Sequence, residues 1–179
     1  TVKTCVGSEF CRFGTQNSTQ MGIELEHALF NMWSPHKVKL AVSGCPRNCA
    51  ESGIKDVGII GVDSGWELYI GGNGGIKTEA GEFFVKVKSS EEVMEYSLAF
   101  LQLYREEAFY LERTVHYLQR VGMDHIKQAV LNDAERRKAL HQRLLFSLSF
   151  EQDPWQEQLS KPQLKKEFDR IAVKQLENA

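Results

Sequence analysis

The chain has 179 residues, 42% of them hydrophobic and 26% charged, which is enough apolar material for a packed core and excludes compositional disorder. Lysine and arginine number 22 against 24 acidic residues, a net charge of -2, so the cationic excess that nucleic-acid binding requires is absent. No apolar run approaches the roughly 20 residues that span a bilayer, and no signal-peptide pattern opens the chain, which excludes a membrane role for the segment. The four cysteines all lie before residue 50, which makes the first quarter of the chain the place to look for chemistry.

Cys5 and Cys11 come first, spaced C-x5-C, with Gly7 and Ser8 between them. Residues 17–33 then read as a helix. Met21, Ile23, Leu25, Ala28, Leu29 and Met32 form an imperfect apolar stripe, Asn17 or Ser18 caps its start, and Ser34-Pro35 ends it. Residues 37–43 read as a strand, because Val38, Leu40 and Val42 alternate with Lys37, Lys39 and Ala41. Cys45 and Cys49 follow as C-x3-C beside Ser43 and Gly44. A helix of about 16 residues advances ~24 Å, and a strand of about 7 residues returns ~23 Å. The two lengths cancel, so Cys11 and Cys45 can meet at one end of the unit. Reduced core thiols, disulfides and a metal or iron–sulfur site are all open to four cysteines. Disulfides are disfavoured, since nothing points to export and a core of this size needs no staple. Zinc is a looser match, because x5 exceeds the roughly two to four residues of a zinc knuckle. Small residues beside both pairs let backbone N–H groups face an anionic centre.

Residues 56–62 and 66–70 read as two strands joined by a hairpin turn at Asp63-Ser64-Gly65. The first carries apolar or small residues on both faces and is expected to be interior. The run Gly71 to Gly75 lacks the G-x-G-x-x-G order and no helix pattern follows, so it reads as a turn rather than a dinucleotide cradle. Residues 83–88 alternate, with Phe83, Val85 and Val87 expected inward and Phe84, Lys86 and Lys88 outward. That is an edge strand whose lysines discourage further pairing. Ser89-x-x-Glu92 is a capping box. Met94, Leu98, Leu101, Tyr104, Ala108, Leu111, Val115 and Leu118 then repeat at steps of three and four, predicting one amphipathic helix up to about Gly122. Further helices are predicted over residues 124–146 and 163–176, with Pro154-Trp155 and Pro162 punctuating the route between them. These stripes read as core packing rather than a partner surface. Arg136-Arg137-Lys138 reads as a solvated face diluted by Asp133 and Glu135. His27, His36, His116, His125 and His141 make no metal-spaced set, and Glu24-x-x-His27 lacks the second copy a di-iron site requires. The expected architecture is α+β. A mixed or antiparallel sheet with helices carries the four-cysteine site in residues 1–113, and a helical extension follows in residues 114–179.

Three stretches carry a family resemblance. Ser43-Gly44-Cys45-Pro46-Arg47-Asn48-Cys49, followed by Asp56-Val57-Gly58-Ile59, resembles the siroheme and iron–sulfur signature of nitrite and sulfite reductases. Thr4-Cys5-Val6-Gly7-Ser8-Glu9-Phe10-Cys11-Arg12-Phe13-Gly14 is similar to the first cysteine pair of that family. Trp66-Glu67-Leu68-Tyr69-Ile70-Gly71-Gly72-Asn73-Gly74-Gly75 and Leu103-Tyr104-Arg105-Glu106-Glu107-Ala108 resemble its NAD(P)H-dependent assimilatory nitrite reductase large subunits.

The resemblance implies that Cys5, Cys11, Cys45 and Cys49 ligate a [4Fe–4S] cluster. It also implies that Cys49 holds the catalytic position, as the axial thiolate bridging siroheme and cluster. Arg12 and Arg47 would then favour the anionic cluster or a siroheme carboxylate, with plain surface exposure or a structural ion pair as the alternative. Asn48 would donate near sulfur, and the glycine loop would lie close to the flat cofactor. The implied activity is six-electron reduction of nitrite to ammonia with electrons from NAD(P)H, in the cytoplasm. FAD and NAD(P)H would bind outside this segment. Nitrite would be the substrate, and the partners would be the remaining domains of the same large subunit, with or without a small subunit. In this family, substrate-holding cations lie upstream of the first cysteine pair, and only four residues precede Cys5. The chain is therefore expected to be a C-terminal portion of a longer enzyme and to lack turnover alone. Two alternatives stay open: a sulfite reductase haemoprotein portion, and a non-catalytic four-cysteine zinc module.

Overall fold

In the computed structural model, residues 1–150 and 153–161 are described, so the helix expected over residues 163–176 and the break expected at Pro162 fall outside them. The chain runs from β1 (Val2–Thr4) through α1 (Gly7–Phe10) and α2 (Ser18–Ala28) to β2 (Leu40–Ser43), then through a 3-10 turn (Ser52–Ile54). Next come β3 (Val57–Val62), β4 (Gly65–Ile70), a small ribbon of β5 (Asn73–Gly74) and β6 (Thr78–Glu79), and β7 (Glu82–Val87). The helical part comprises α3 (Ser90–Glu107), α4 (Thr114–Val121), α5 (Met123–Lys127), a π-helical turn (Gln128–Asn132), α6 (Ala134–Leu148) and α7 (Pro154–Ser160). The main sheet has the order β1-β2-β3-β4-β7. Its first three strands are parallel, and β3-β4 and β4-β7 are antiparallel. The α+β class and mixed sheet are therefore as the sequence indicates.

Residues 2–4 are too short to show periodicity, yet they form edge strand β1, in register Val2 to Leu40 and Thr4 to Val42. The helix expected over 17–33 starts as predicted, with Asn17 accepting from the Gln20 N–H at 3.0 Å. It ends at Ala28, and Asn31 takes a left-handed conformation at φ 58, which Asn tolerates better than most residues. The strand expected over 37–43 shortens to Leu40–Ser43, and all four residues are buried, so the in-out alternation does not hold. A parallel strand flanked on both sides is covered on both faces, and small Ala41 and Ser43 fit the second face. Helix and strand lose length together, to about 16 Å and about 13 Å, so the expected return to one end survives.

The β3-β4 hairpin has a two-residue turn, since Val62 pairs with Gly65, and β3 is interior as expected. On β7 the expected faces are reversed at one point. Leu68 pairs with Val85 but Tyr69 pairs with Phe83, so Phe84 is an extra residue in the ladder. This bulge turns Phe84 into the core against Phe100, with ring centroids 6.2 Å apart. Phe83 is left exposed, edge-on to Tyr69 at 5.7 Å. The extra residue flips the period-two pattern beyond it.

The Ser89–Glu92 capping box forms. The single helix predicted from there to Gly122 is two helices, because Ala108 is extended and Leu111 left-handed at φ 65. The break is held from outside and from within the segment. The Leu111 N–H donates to the Pro35 carbonyl at 3.0 Å, Tyr104 donates its hydroxyl to the Glu112 carbonyl, and Arg113 pairs with Asp56. The helix predicted over 124–146 is likewise interrupted at Asp133, whose carboxylate caps α6 by accepting from the Arg136 N–H at 2.8 Å. Pro154 begins α7 at its first turn rather than only breaking the chain, and Asp153 accepts from the Trp155 N–H. One apolar cluster joins Met21 and Leu25 of α2, the sheet, Phe100 and Leu103 of α3, and Leu140 and Leu144 of α6.

Candidate functional site

Parallel pairing explains why the cysteines share a region. Strands β1, β2 and β3 end on one side of the sheet, so Cys5 and the loop starting at Gly44 leave from adjacent carboxyl ends. In open parallel sheets such ends are where ligands bind. The Cys5 N–H extends the ladder by donating to the Val42 carbonyl at 3.2 Å. The Gly44 carbonyl then accepts from the Thr15 N–H (2.8 Å) and Gln16 N–H (3.0 Å), while Gln16 donates through Nε2 to the Val62 carbonyl at 2.9 Å. A side chain at Gly44 would place its Cβ 2.7 Å from the Gln16 carbonyl oxygen and 2.8 Å from the Gly7 Cα. The two loops thus touch backbone to backbone, which only glycine permits.

Across this contact the Gly44 N–H donates to Cys5 Sγ at 3.1 Å, and the Ser18 hydroxyl lies 3.2 Å from the same sulfur. Burial by itself would raise the Cys5 thiol, but hydrogen bonds from Gly44, Ser18 and Gly7 outweigh it and hold the thiol below its ordinary value. Cys11 follows α1 and donates its N–H to the Gly7 carbonyl at 2.9 Å. Cys45 is buried and Cys49 exposed, and all four thiols are free.

Arg12, Arg47 and Asn48 divide between two settings. The guanidinium of Arg47 lies 3.9 Å from the centroid of the Phe13 ring and that of Arg12 lies 4.5 Å from it, so an arginine of the second loop stacks on the first. Asn48 is left-handed at φ 56, and its Oδ1 accepts from the Ser43 hydroxyl and the Gly53 N–H, each at 3.3 Å. Ser43, fully buried, also accepts from the Ala50 N–H (3.1 Å) and lies 2.9 Å from the Ser52 hydroxyl. This network fixes the course of the Cys45–Cys49 loop. The 3-10 turn lies directly on β3, where a Cβ on Gly58 would come 2.0 Å from the Ser52 carbonyl oxygen.

Sequence reasoning missed three of these residues. Phe13 carried no signal beyond its place in the family-like stretch beside Arg12, and Ser18 was read only as a helix cap. Asp56 stands out only as a strand start within a family-like stretch, with no role for its carboxylate. It has no solvent exposure. It accepts from the Lys39 N–H (2.8 Å), from Arg113 through both oxygens (3.1 Å each) and from the Thr114 hydroxyl, tying the exit of the cysteine loop to the helices. Gly71 and Gly72 of the glycine run serve as backbone contacts, donating N–H to the Asp56 and Lys55 carbonyls.

Among the described residues, no three His, Cys, Asp or Glu side chains are grouped so as to hold one metal ion. A zinc ion needs its sulfurs about 2.3 Å from a single point. A [4Fe–4S] cube instead spreads four thiolates over four irons, and four unpaired thiols on two touching loops, with an N–H already aimed at one sulfur, fit that demand. Soft thiolates are the ligand type that iron–sulfur clusters take.

The family described as "Nitrite and sulphite reductase 4Fe-4S domain" matches residues 1–138, and the chain belongs to it. "Nitrite reductase [NAD(P)H]" of Bacillus subtilis (strain 168) is 58% identical over 174 residues, covering 97% of this chain and 22% of that protein. "Nitrite reductase (NADH) large subunit" of Escherichia coli (strain K12) is 40% identical over 133 residues, covering 73% of this chain and 16% of that one. The chain thus spans about a fifth of the length of these relatives. The crystal structure of dissimilatory sulfite reductase I shares the fold, with a TM-score of 0.63 at 14% identity over 72% of this chain and 51% of that one. No helix among the described residues is long and apolar enough to cross a membrane.

Proposed function

We propose that this chain is the cluster- and siroheme-holding part of a cytoplasmic nitrite reductase that takes electrons from NAD(P)H and reduces nitrite to ammonia. Cys5, Cys11, Cys45 and Cys49 are the thiolate ligands. The observation that carries the reading is the Gly44 N–H donated to Cys5 Sγ across two touching loops of free thiols. The membership of the family and the printed names of the relatives support the substrate. When bound, the cluster and siroheme would supply one-electron transfer to nitrite.

The chain's own residues prepare that site. The hydrogen bonds at Cys5 favour thiolate over thiol, the form that ligates iron. Cys49, exposed where Cys45 is buried, would hold siroheme as well as the cluster. Arg12 and Arg47 place positive charge beside the ligands. Asn48, with Oδ1 engaged by Ser43 and Gly53, keeps its Nδ2 for sulfur. FAD and NAD(P)H bind elsewhere in the enzyme, whose other domains, and a small subunit where present, are this chain's partners.

Anaerobically purified protein is expected to contain iron and acid-labile sulfide in equal amounts from the cluster, with further iron wherever siroheme is bound; stoichiometric zinc without sulfide would overturn the cluster. In the intact enzyme Cys49→Ser is expected to abolish nitrite turnover and the siroheme absorption spectrum. Unchanged turnover and spectrum would remove the axial role.

A further inference from the structure

Arg113, Arg120, Arg136, Arg137 and Arg143 each pair with a carboxylate. Arg12 and Arg47 form no ion pair among the described residues and instead share the ring of Phe13. That ring is 42% exposed, unlike Phe84 and Phe100 at 2% and 0%, so core burial is not what it provides. Two guanidiniums over one ring repel each other, while the negative ring face attracts both. The result is unneutralised positive charge carried by residues that neighbour Cys11 and lie between Cys45 and Cys49 in the chain.

We propose that Phe13 is a positioning residue: its ring holds Arg12 and Arg47 together at the four-thiol site, and their charge raises the reduction potential of the anionic cluster held there. The inference rests on the cluster reading above and adds to it the group that sets the potential. Net charge and nearby dipoles are among the levers on such potentials. Cations stabilise the reduced, more negative state, so removing them lowers the potential.

The test is a potentiometric titration of the cluster in the intact protein at low salt, followed by electron paramagnetic resonance, alongside iron and sulfide analysis. Phe13→Leu keeps apolar bulk and removes the ring, Phe13→Trp keeps a ring, and Arg47→Gln removes one charge. Phe13→Leu and Arg47→Gln are expected to shift the midpoint to more negative values with metal content unchanged. Phe13→Trp stays near the parent value, and the shifts shrink as salt is raised. An unchanged potential in Phe13→Leu with its cluster intact overturns the proposal, as does a Trp variant that behaves like Leu. Where Phe13→Leu assembles no cluster, Arg47→Gln decides, and an unchanged potential there overturns the proposal. Parent protein without iron and sulfide sinks the cluster reading itself, and the role of Phe13 with it.

Discussion

Asp56 is a carboxylate with no exposed surface, and such a group is tolerated only when its oxygens are satisfied. Its partners come from three segments: the Lys39 backbone, Arg113 and Thr114. Asp56→Ala would leave the largely buried Arg113 without its counter-ion, and Arg113 Nε already has no partner. The expected cost is about 3–5 kcal/mol, read as a lower urea midpoint at unchanged slope; a cost below about 1 kcal/mol would show the pair to be dispensable. At this scale the sequence was informative where chemistry is carried by type and spacing. The two cysteine pairs, Arg12, Arg47 and Asn48 could all be picked out as candidates. Phe13 and Asp56 could not, because their roles come from partners distant in the chain, Arg47 and Arg113.

Helices α3 and α6 pack together along the core and are also joined at the surface, where Arg143 holds Glu106 through Nε at 2.7 Å and through its terminal nitrogen at 2.9 Å. These hydrogen bonds hold the Glu106 carboxyl below the usual carboxylate range, against the burial that would raise it. A lowered native value means stability that is present above the unfolded value of about 4.3 and is lost as pH falls through the native value. The pair is 50% and 37% exposed, so solvent limits its worth to about 1 kcal/mol or less. Glu106→Gln is therefore expected to lower stability slightly at neutral pH and not at all in strong acid. Thermal melts across pH check this, and a difference constant with pH would rule it out. Element identities were legible from periodicity and from the Ser89–Glu92 box, whereas the bulge at Phe84 and the break at residues 108–113 were not. A periodic stripe continues through Ala108, Leu111 and Val115, and it is interrupted by bonds to Asp56 and Pro35, reached through Arg113 and the Leu111 N–H, and by the Tyr104 hydroxyl on the Glu112 carbonyl.

Over the whole molecule, residues of α4 to α6 pack into the same apolar cluster as the sheet and α2. Leu144 is fully buried in it, so Leu144→Ala is expected to cost about 2–5 kcal/mol. Tryptophan fluorescence and cysteine accessibility should then report the same lowered transition. Two separated transitions would show that the cysteine loops and the helices unfold independently.

By itself, the sequence determined what neighbours along the chain control: the α+β class, the main strands and helices, the caps at Asn17 and Ser89, the four thiols and the family resemblance. Only the tertiary structure decided that β1 exists and pairs parallel with β2, bringing Cys5 against Gly44. It also decided that Phe84 rather than Phe83 is buried, and that Phe13 gathers two arginines. Local propensity is worth about 1 kcal/mol or less per residue. Pairings between segments far apart, such as Val2 with Leu40 or Arg113 with Asp56, override it wherever the two disagree.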